Sequence, residues 1–383
     1  MELPGIEERI VAPLVTTLGR VTNSYKFLFF KGILDSLNIT GRSLTIRNPI
    51  PLWELYAMVF VNAWYPVSRF RLSLGAADPI PAYVHKFAER HKDVKIVAQE
   101  AIPLFAPGTG EPDLLSLSEQ LDKYVKYRFV RPWLDASLKG VPDSQINKRI
   151  AALLAEDYAG PQLCPYHFIE GDDGSEYLKI APHFEQYLRQ NAAVIYDWWR
   201  WKFANFLSAR NPYTPNILSK LEPLVERDLN LARFFWSYVR SVAPGTLKCI
   251  YTGEPIGDTF SIDHFIPWSF VLHDRLWNLV PTAPTTNSSK SDGLAPLESF
   301  REPFINMQID TLVALTHAGT HLPDRINQDV LRAEYTITDG QPSLLTLLRG
   351  GRSDDFRALL GNTLESLWIN ARNQGFPVWS RVA

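Results

Sequence analysis

Asp263 and His264, adjacent in the run SIDHFIPW, set a carboxylate beside an imidazole at the end of a strand-like segment. A carboxylate is a hard anionic ligand for a divalent cation, and a neutral imidazole is the side chain best suited to take a proton near pH 7. On an extended strand the two side chains point to opposite sides. Pro267 stops that strand, since it has no N–H to give to a ladder. The turning chain then lets both residues serve one site, the acid on a metal and the imidazole on a substrate beside it. Asn278 and Asn287 follow in segments that can fold back upon the strand. An amide oxygen is a neutral hard donor of the kind Mg²⁺ accepts together with water and phosphate oxygens. Lys290 comes three residues after Asn287 on the same helical face, where an ammonium can meet a phosphate.

These residues need elements to hold them. From Leu247, the segment LKCIYTGEPIGDTFSIDHFIPW has short apolar and β-branched runs broken at Thr252-Gly253 and Gly257-Asp258, and predicts two short strands joined by a turn. LWNLVP reads as another short strand or extended segment, and APTTNSSKSDGL as a helix start with Thr or Pro near its cap and Gly at its end. An Asp-His pair alone is more readily a hydrogen-bonded strand end than a site. Asn278, Asn287 and Lys290 in register with it reverse that preference.

In this order and spacing, IDHFIPWSF followed by LWNLVPTAPTTNSSKSD resembles the HNH nuclease motif over about residues 247–296. The closing NxxKSD pattern is similar to the HNH domain of RNA-guided CRISPR DNA nucleases and to stand-alone bacterial HNH proteins. The resemblance implies a ββα-metal module. In it Asp263 is the metal-binding acid, His264 the general base, Asn278 the middle residue that holds the His-bearing loop by hydrogen bonds, and Asn287 a metal ligand at the last position. It further implies one Mg²⁺ or Mn²⁺ per site and phosphodiester hydrolysis, with DNA as substrate in a restriction or anti-phage defence setting. A protein or guide partner that recruits or gates the enzyme belongs to the same expectation. The competing readings are a non-catalytic nucleic-acid-binding or adaptor protein that keeps the fold, and a structure-selective or RNA-cutting nuclease. Many HNH proteins carry zinc-binding cysteine pairs around the motif. Here Thr252 stands where the partner of Cys249 would be, so no structural zinc is expected unless Cys164 and His167 join Cys249.

The remaining chain reads mostly as helix. Tyr25, Leu28, Phe29, Gly32, Ile33, Ser36 and Leu37 recur at helical steps behind a cap at Thr22, Asn23 or Ser24, and Phe27, Phe30 and Leu34 make the other side apolar too. A second helix runs from Pro51 to about Pro66, a long one from Phe184 to Phe206, another from Leu218 to Val242, and helical spacing returns over 301–383. The irregular run GPQLCPYHFIEGDDGSEY, 160–177, marks an internal boundary. The expected organisation is an N-terminal helical region (1–159), a helical connecting region (160–246), the HNH module (247–300) and a C-terminal helical region (301–383). The fold class is α+β, a mainly helical protein with an embedded ββα-metal module.

Charge is almost balanced, 39 Lys+Arg against 41 Asp+Glu, so a polyanionic partner must meet a local cluster of cations. YVKYRFVRPW interleaves Lys126, Arg128 and Arg131 with aromatics, and DWWRWKF does so with Arg200 and Lys202. These are candidate phosphate and base contacts. Core aromatics with cationic heads reaching water account for them at least as well. His273-Asp274 reads as a solvated or capping pair in a connecting loop, and His317 and His321 have helical metal spacing without an acid or cysteine companion. No apolar run is long enough to span a bilayer, and two cysteines are too few for a disulfide framework. A cytoplasmic protein is expected.

Overall fold

The computed structural model describes residues 3–4, 8–19, 21–39, 47–91, 98–106, 108, 111–156, 163–222, 227–243, 245, 247–317 and 322–380. It is an α+β protein, mainly helical with two small sheets. The chain divides into two compact units, one of Met1–Pro212 with Ile217–Pro223 and one of Tyr213–Asn216 with Leu224–Ala383.

The first unit is built around the helix Tyr25–Ser36. Phe27, Leu28, Phe29, Phe30, Ile33 and Leu34 are all buried, as expected of a helix apolar on both sides. Phe27 stacks on Phe203 and meets Phe206, each with ring centroids 5.2 Å away, and its carbonyl accepts from Trp199 Nε1 at 2.9 Å. Gly32 lets the helix Leu52–Trp64 approach closely, since a Cβ there would lie 2.7 Å from Leu55 Cδ1. The long helix expected over 184–206 is two, Pro182–Gln190 and Ala192–Ser208, broken at Asn191. The Asn191 amide donates to the Tyr187 carbonyl at 3.0 Å, a local bond of the kind that competes with helix continuation.

The stretch read as irregular contains a hairpin. β1 (Ile50–Pro51), β2 (Tyr166–Glu170) and β3 (Glu176–Ile180) form an antiparallel sheet in the order β1-β3-β2, with Phe168 opposite Leu178. Gly174 turns the chain at φ +72° between β2 and β3. The hairpin lies inside the first unit.

In the second unit β4 (Ser261–His264) pairs antiparallel with β5 (Leu279–Thr282), Asp263 opposite Val280 and His264 opposite Leu279. The helix Pro284–Lys290 follows β5 at once, with proline in its first turn. The earlier of the two strands expected in 247–268 is only a single bridge, Lys248 to Pro255, around a turn in which Gly253 adopts φ +78°. Apolar side chains from the strand ends enter one core, with Phe265 against Phe304 at 4.4 Å and Phe270 against Phe376 at 5.7 Å. Phe304 belongs to the helix Leu297–His317. From that helix, buried Gln308 donates to the Leu279 carbonyl at 2.8 Å and accepts from Tyr335 at 2.8 Å, so β5 is held by a fully satisfied amide.

Candidate active site

β4 delivers Asp263 and His264 to the end of the two-stranded sheet, and both are buried, at 2% and 5% exposure. Asp263 Oδ2 accepts from the Tyr251 hydroxyl at 2.5 Å, and Oδ1 lies 3.1 Å from Lys290 Nζ. Burial, with the Asp263 charge adding to it, holds the Tyr251 hydroxyl pKa well above its ordinary value, so this group remains a donor to the acid. Tyr251 is itself enclosed by Phe300 and Trp379, at 5.2 and 5.4 Å. Trp379 comes from the far end of the chain, where the backbone bonds Leu294 N–H to Pro377 O and Trp379 N–H to Leu294 O, both at 2.8 Å, close the module.

His264 Nε2 lies 2.8 Å from Asp274 Oδ1. In a neutral ring the nitrogen that faces a carboxylate carries the hydrogen, which leaves the lone pair on Nδ1. Asp274 is therefore the partner of His264 and not a solvated companion of His273. The His273 ring packs 5.0 Å from Trp277, and its Nδ1 accepts from Arg275 N–H at 3.4 Å. Burial first, then the neighbouring His264 and Arg275, lower the His273 pKa to about 4.

Asn278 stands at the start of β5 with no exposure. Its Oδ1 accepts from Ile266 N–H and its Nδ2 donates to Ile266 O, both at 2.9 Å, while its own carbonyl accepts from Phe265 N–H at 2.9 Å. Three bonds thus tie the segment just past His264 to β5. Asn287 is partly buried on the helix Pro284–Lys290, one turn before Lys290. Lys290, the expected phosphate contact, is buried. It is 2% exposed and donates to the His264 carbonyl at 2.7 Å as well as to Asp263, so its ammonium is an internal counter-charge. A buried carboxylate needs such a partner.

The oxygen donors suit a divalent cation of the Mg²⁺ type. Asp263 offers one negative charge and two hard oxygen atoms, and Mg²⁺ is commonly held by one or two carboxylates with waters completing its shell. Among the described residues no group of three or more His, Cys, Asp or Glu is placed to hold a metal. Cys249 Sγ lies 3.1 Å from Thr282 Oγ1 on β5, whereas Cys164 and His167 belong to the first unit. His321 lies outside the described residues.

The basic residues singled out in the two aromatic-rich runs all belong to the first unit. Arg128 is engaged by Asp143 through both carboxylate oxygens, each at 3.0 Å, and by Asn147 at 3.1 Å. Arg131 reaches Asp135 only at 4.0 Å. Arg200 stands 3.8 Å from Asp197 and 3.9 Å from Glu222, and Lys202 sits over the rings of Trp198 and Trp201. Trp198, Phe203 and Phe206 of that helix are buried, which matches the core reading of its aromatics.

A two-stranded sheet followed directly by a helix, with an acid and a histidine at the strand end and an asparagine pinning the loop, is the architecture of a small nuclease module. Residues 249–295 match the family described as HNH endonuclease, so this segment is an HNH domain. An HNH domain implies nuclease activity on nucleic acid, and HNH nucleases generally depend on a divalent metal. No curated protein and no solved structure matches the chain. Among the described residues no helix is long and apolar enough to cross a membrane.

Proposed function

We propose that the protein is a metal-dependent endonuclease that hydrolyses phosphodiester bonds of DNA, with His264 as general base. The observation that carries this reading is the 2.8 Å contact between His264 Nε2 and Asp274, beside the buried acid Asp263. Asp274 fixes the tautomer and turns the Nδ1 lone pair into the proton acceptor for a water that attacks phosphorus. As the ring takes that proton, the carboxylate balances the imidazolium charge. Asn278 keeps the histidine from drifting, because it bonds both backbone groups of Ile266 two residues on. Asp263 and Asn287 would hold the cation. When bound, the metal neutralises phosphate charge and stabilises the charge that grows on the leaving oxygen.

Lys290 gives this site two occupancies. Its ammonium holds the Asp263 charge in this structure, and it would have to yield Asp263 Oδ1 to a divalent ion. His264 is 5% exposed, so substrate engagement also has to uncover the ring. DNA, and a restriction or anti-phage setting, follow from the family likeness. The test is cleavage of double-stranded DNA, single-stranded DNA and RNA with Mg²⁺, Mn²⁺ or chelator. Divalent-dependent endonucleolytic products from DNA are expected. Absence of cleavage of every polymer with either metal contradicts the reading.

A further inference from the structure

The first unit carries a cleft of about 200 Å³ that the site above does not use. Thr22, Asn23, Tyr25, Lys26, Tyr124 and Arg128 line it. Lys26 is partly buried, and its ammonium makes no hydrogen bond or ion pair with any described residue. Its charged neighbours are mostly of its own sign. Burial first, then Arg131 and Arg128, push the Lys26 pKa down, with only Asp135 opposing.

The guanidinium of Arg128 is fixed in place by Asp143 and Asn147, while Arg131 is held loosely, 4.0 Å from Asp135. Both acids face water, with side chains 72% and 66% exposed, and screen the cations weakly from outside. Tyr25 and Tyr124 run parallel at 6.3 Å along one wall, and Tyr124 is 40% exposed. The first turn of the helix Tyr25–Ser36 supplies part of the lining, and at its N-terminus the buried Asp78 carboxylate accepts from Ser24 N–H at 2.6 Å. A partly buried ammonium with no hydrogen-bonded counter-ion among the described residues, influenced by two guanidiniums and, less strongly, by one acid, is an arrangement that an anion stabilises.

We infer that this cleft binds a backbone phosphate of the nucleic-acid strand, with Lys26 as its principal partner, Arg128 and Arg131 as flanking cations and Tyr124 as an apolar wall for the sugar. The phosphate chemistry stands on the cleft alone; its source in a nucleic acid rests on the nuclease reading. A mononucleotide or inorganic phosphate offers the same chemical group, and the test separates them.

Binding of a labelled 20-nucleotide DNA is measured by fluorescence anisotropy in chelator, over a salt series, for the wild type, Lys26→Gln, Lys26→Arg and Arg131→Gln. Lys26→Gln and Arg131→Gln are each expected to lower the slope of log affinity against log salt by about 0.7–0.9, while Lys26→Arg keeps the wild-type slope. Millimolar inorganic phosphate or mononucleotide should not displace the DNA beyond its ionic-strength effect. Arg131 is 47% exposed, so its substitution reports even if Lys26→Gln fails to fold. Unchanged slopes in both glutamine variants overturn the proposal, as does a wild type that binds no DNA, or a Lys26-dependent affinity for mononucleotide without one for DNA. Wild-type cleavage with divalent metal is recorded in parallel. Lys26-dependent DNA binding without any cleavage sinks the nuclease reading and keeps the cleft, and cleavage with unchanged slopes does the reverse.

Discussion

Replacing Asn278 by alanine tests how the histidine-bearing loop is held. The side chain is fully buried and makes two 2.9 Å hydrogen bonds, one to the N–H and one to the carbonyl of Ile266. Asn278→Ala removes both and leaves two buried backbone groups unsatisfied, each costing about 1–3 kcal/mol. Partial entry of water into the space vacated by the amide offsets some of this, so a loss of about 2–4 kcal/mol is expected. For a unit of this size each kcal/mol moves Tm by roughly 2–4 °C, which places the drop at about 4–16 °C. Differential scanning calorimetry reads it directly. Asn278→Asp keeps the acceptor for Ile266 N–H but sets an oxygen against Ile266 O, so it should not restore the wild-type Tm. The structure also ties stability to activity here, because the freed residue, Ile266, lies two residues after His264. An Asn278→Ala protein with Tm within about 2 °C of wild type and full cleavage would refute the claim that this amide pins the loop.

Three further expectations concern charge. Lys290→Met leaves Asp263 buried with only Tyr251, which should cost about 3–5 kcal/mol in the absence of metal. The same change removes a competing cation 3.1 Å from Asp263 Oδ1, so Mn²⁺ titrated calorimetrically should bind at least about tenfold tighter, and equal or weaker binding contradicts the two-occupancy picture. Asp274→Asn should lower cleavage at neutral pH and shift its pH profile while leaving DNA affinity alone, since the amide no longer selects the tautomer; an unchanged profile removes Asp274 from its role. His273 is held near pKa 4, below its ordinary value of 6.5, so the unfolded chain binds more protons between these values. The stability that comes from keeping it neutral is present above about pH 6.5 and is lost as pH falls towards 4. Tm recorded over that range should fall less steeply in His273→Gln than in the wild type, and parallel curves would exclude His273 as a source of acid sensitivity.

The sequence displayed the site's backbone-local features and hid its long-range ones. Asp263, His264, Asn278 and the helix that begins at Pro284 were legible because proline, β-branched residues and turn signals mark the strand ends between which they fall. Nothing in the same run pointed to Asp274 as the partner of His264, since the two are ten residues apart with a loop between them, and the adjacent His273 offered a nearer pairing. Tyr251 was hidden for another reason: an aromatic residue beside a glycine turn reads as core, and its hydroxyl shows its use only when Asp263 is opposite. The buried orientation of Lys290 likewise depends on how the helix Pro284–Lys290 lies across β4, a tertiary fact. Trp379, which closes over Tyr251 from the far end of the chain, has no local signal at all. In the first unit, GDDG was a sufficient turn signal for the hairpin of β2 and β3, but the surrounding Gly and Pro masked the alternation in YHFIE and EYLKI.

The central claim, that His264 accepts the proton of the attacking water and does not merely fill a strand end, is tested most directly by single-turnover cleavage of DNA by His264→Ala at saturating Mg²⁺. The proton acceptor is lost while Asp263, Asn287 and Lys290 remain, so the rate should fall by about 10²-fold or more with DNA affinity near that of the wild type. Cleavage by His264→Ala at the wild-type rate would contradict the account.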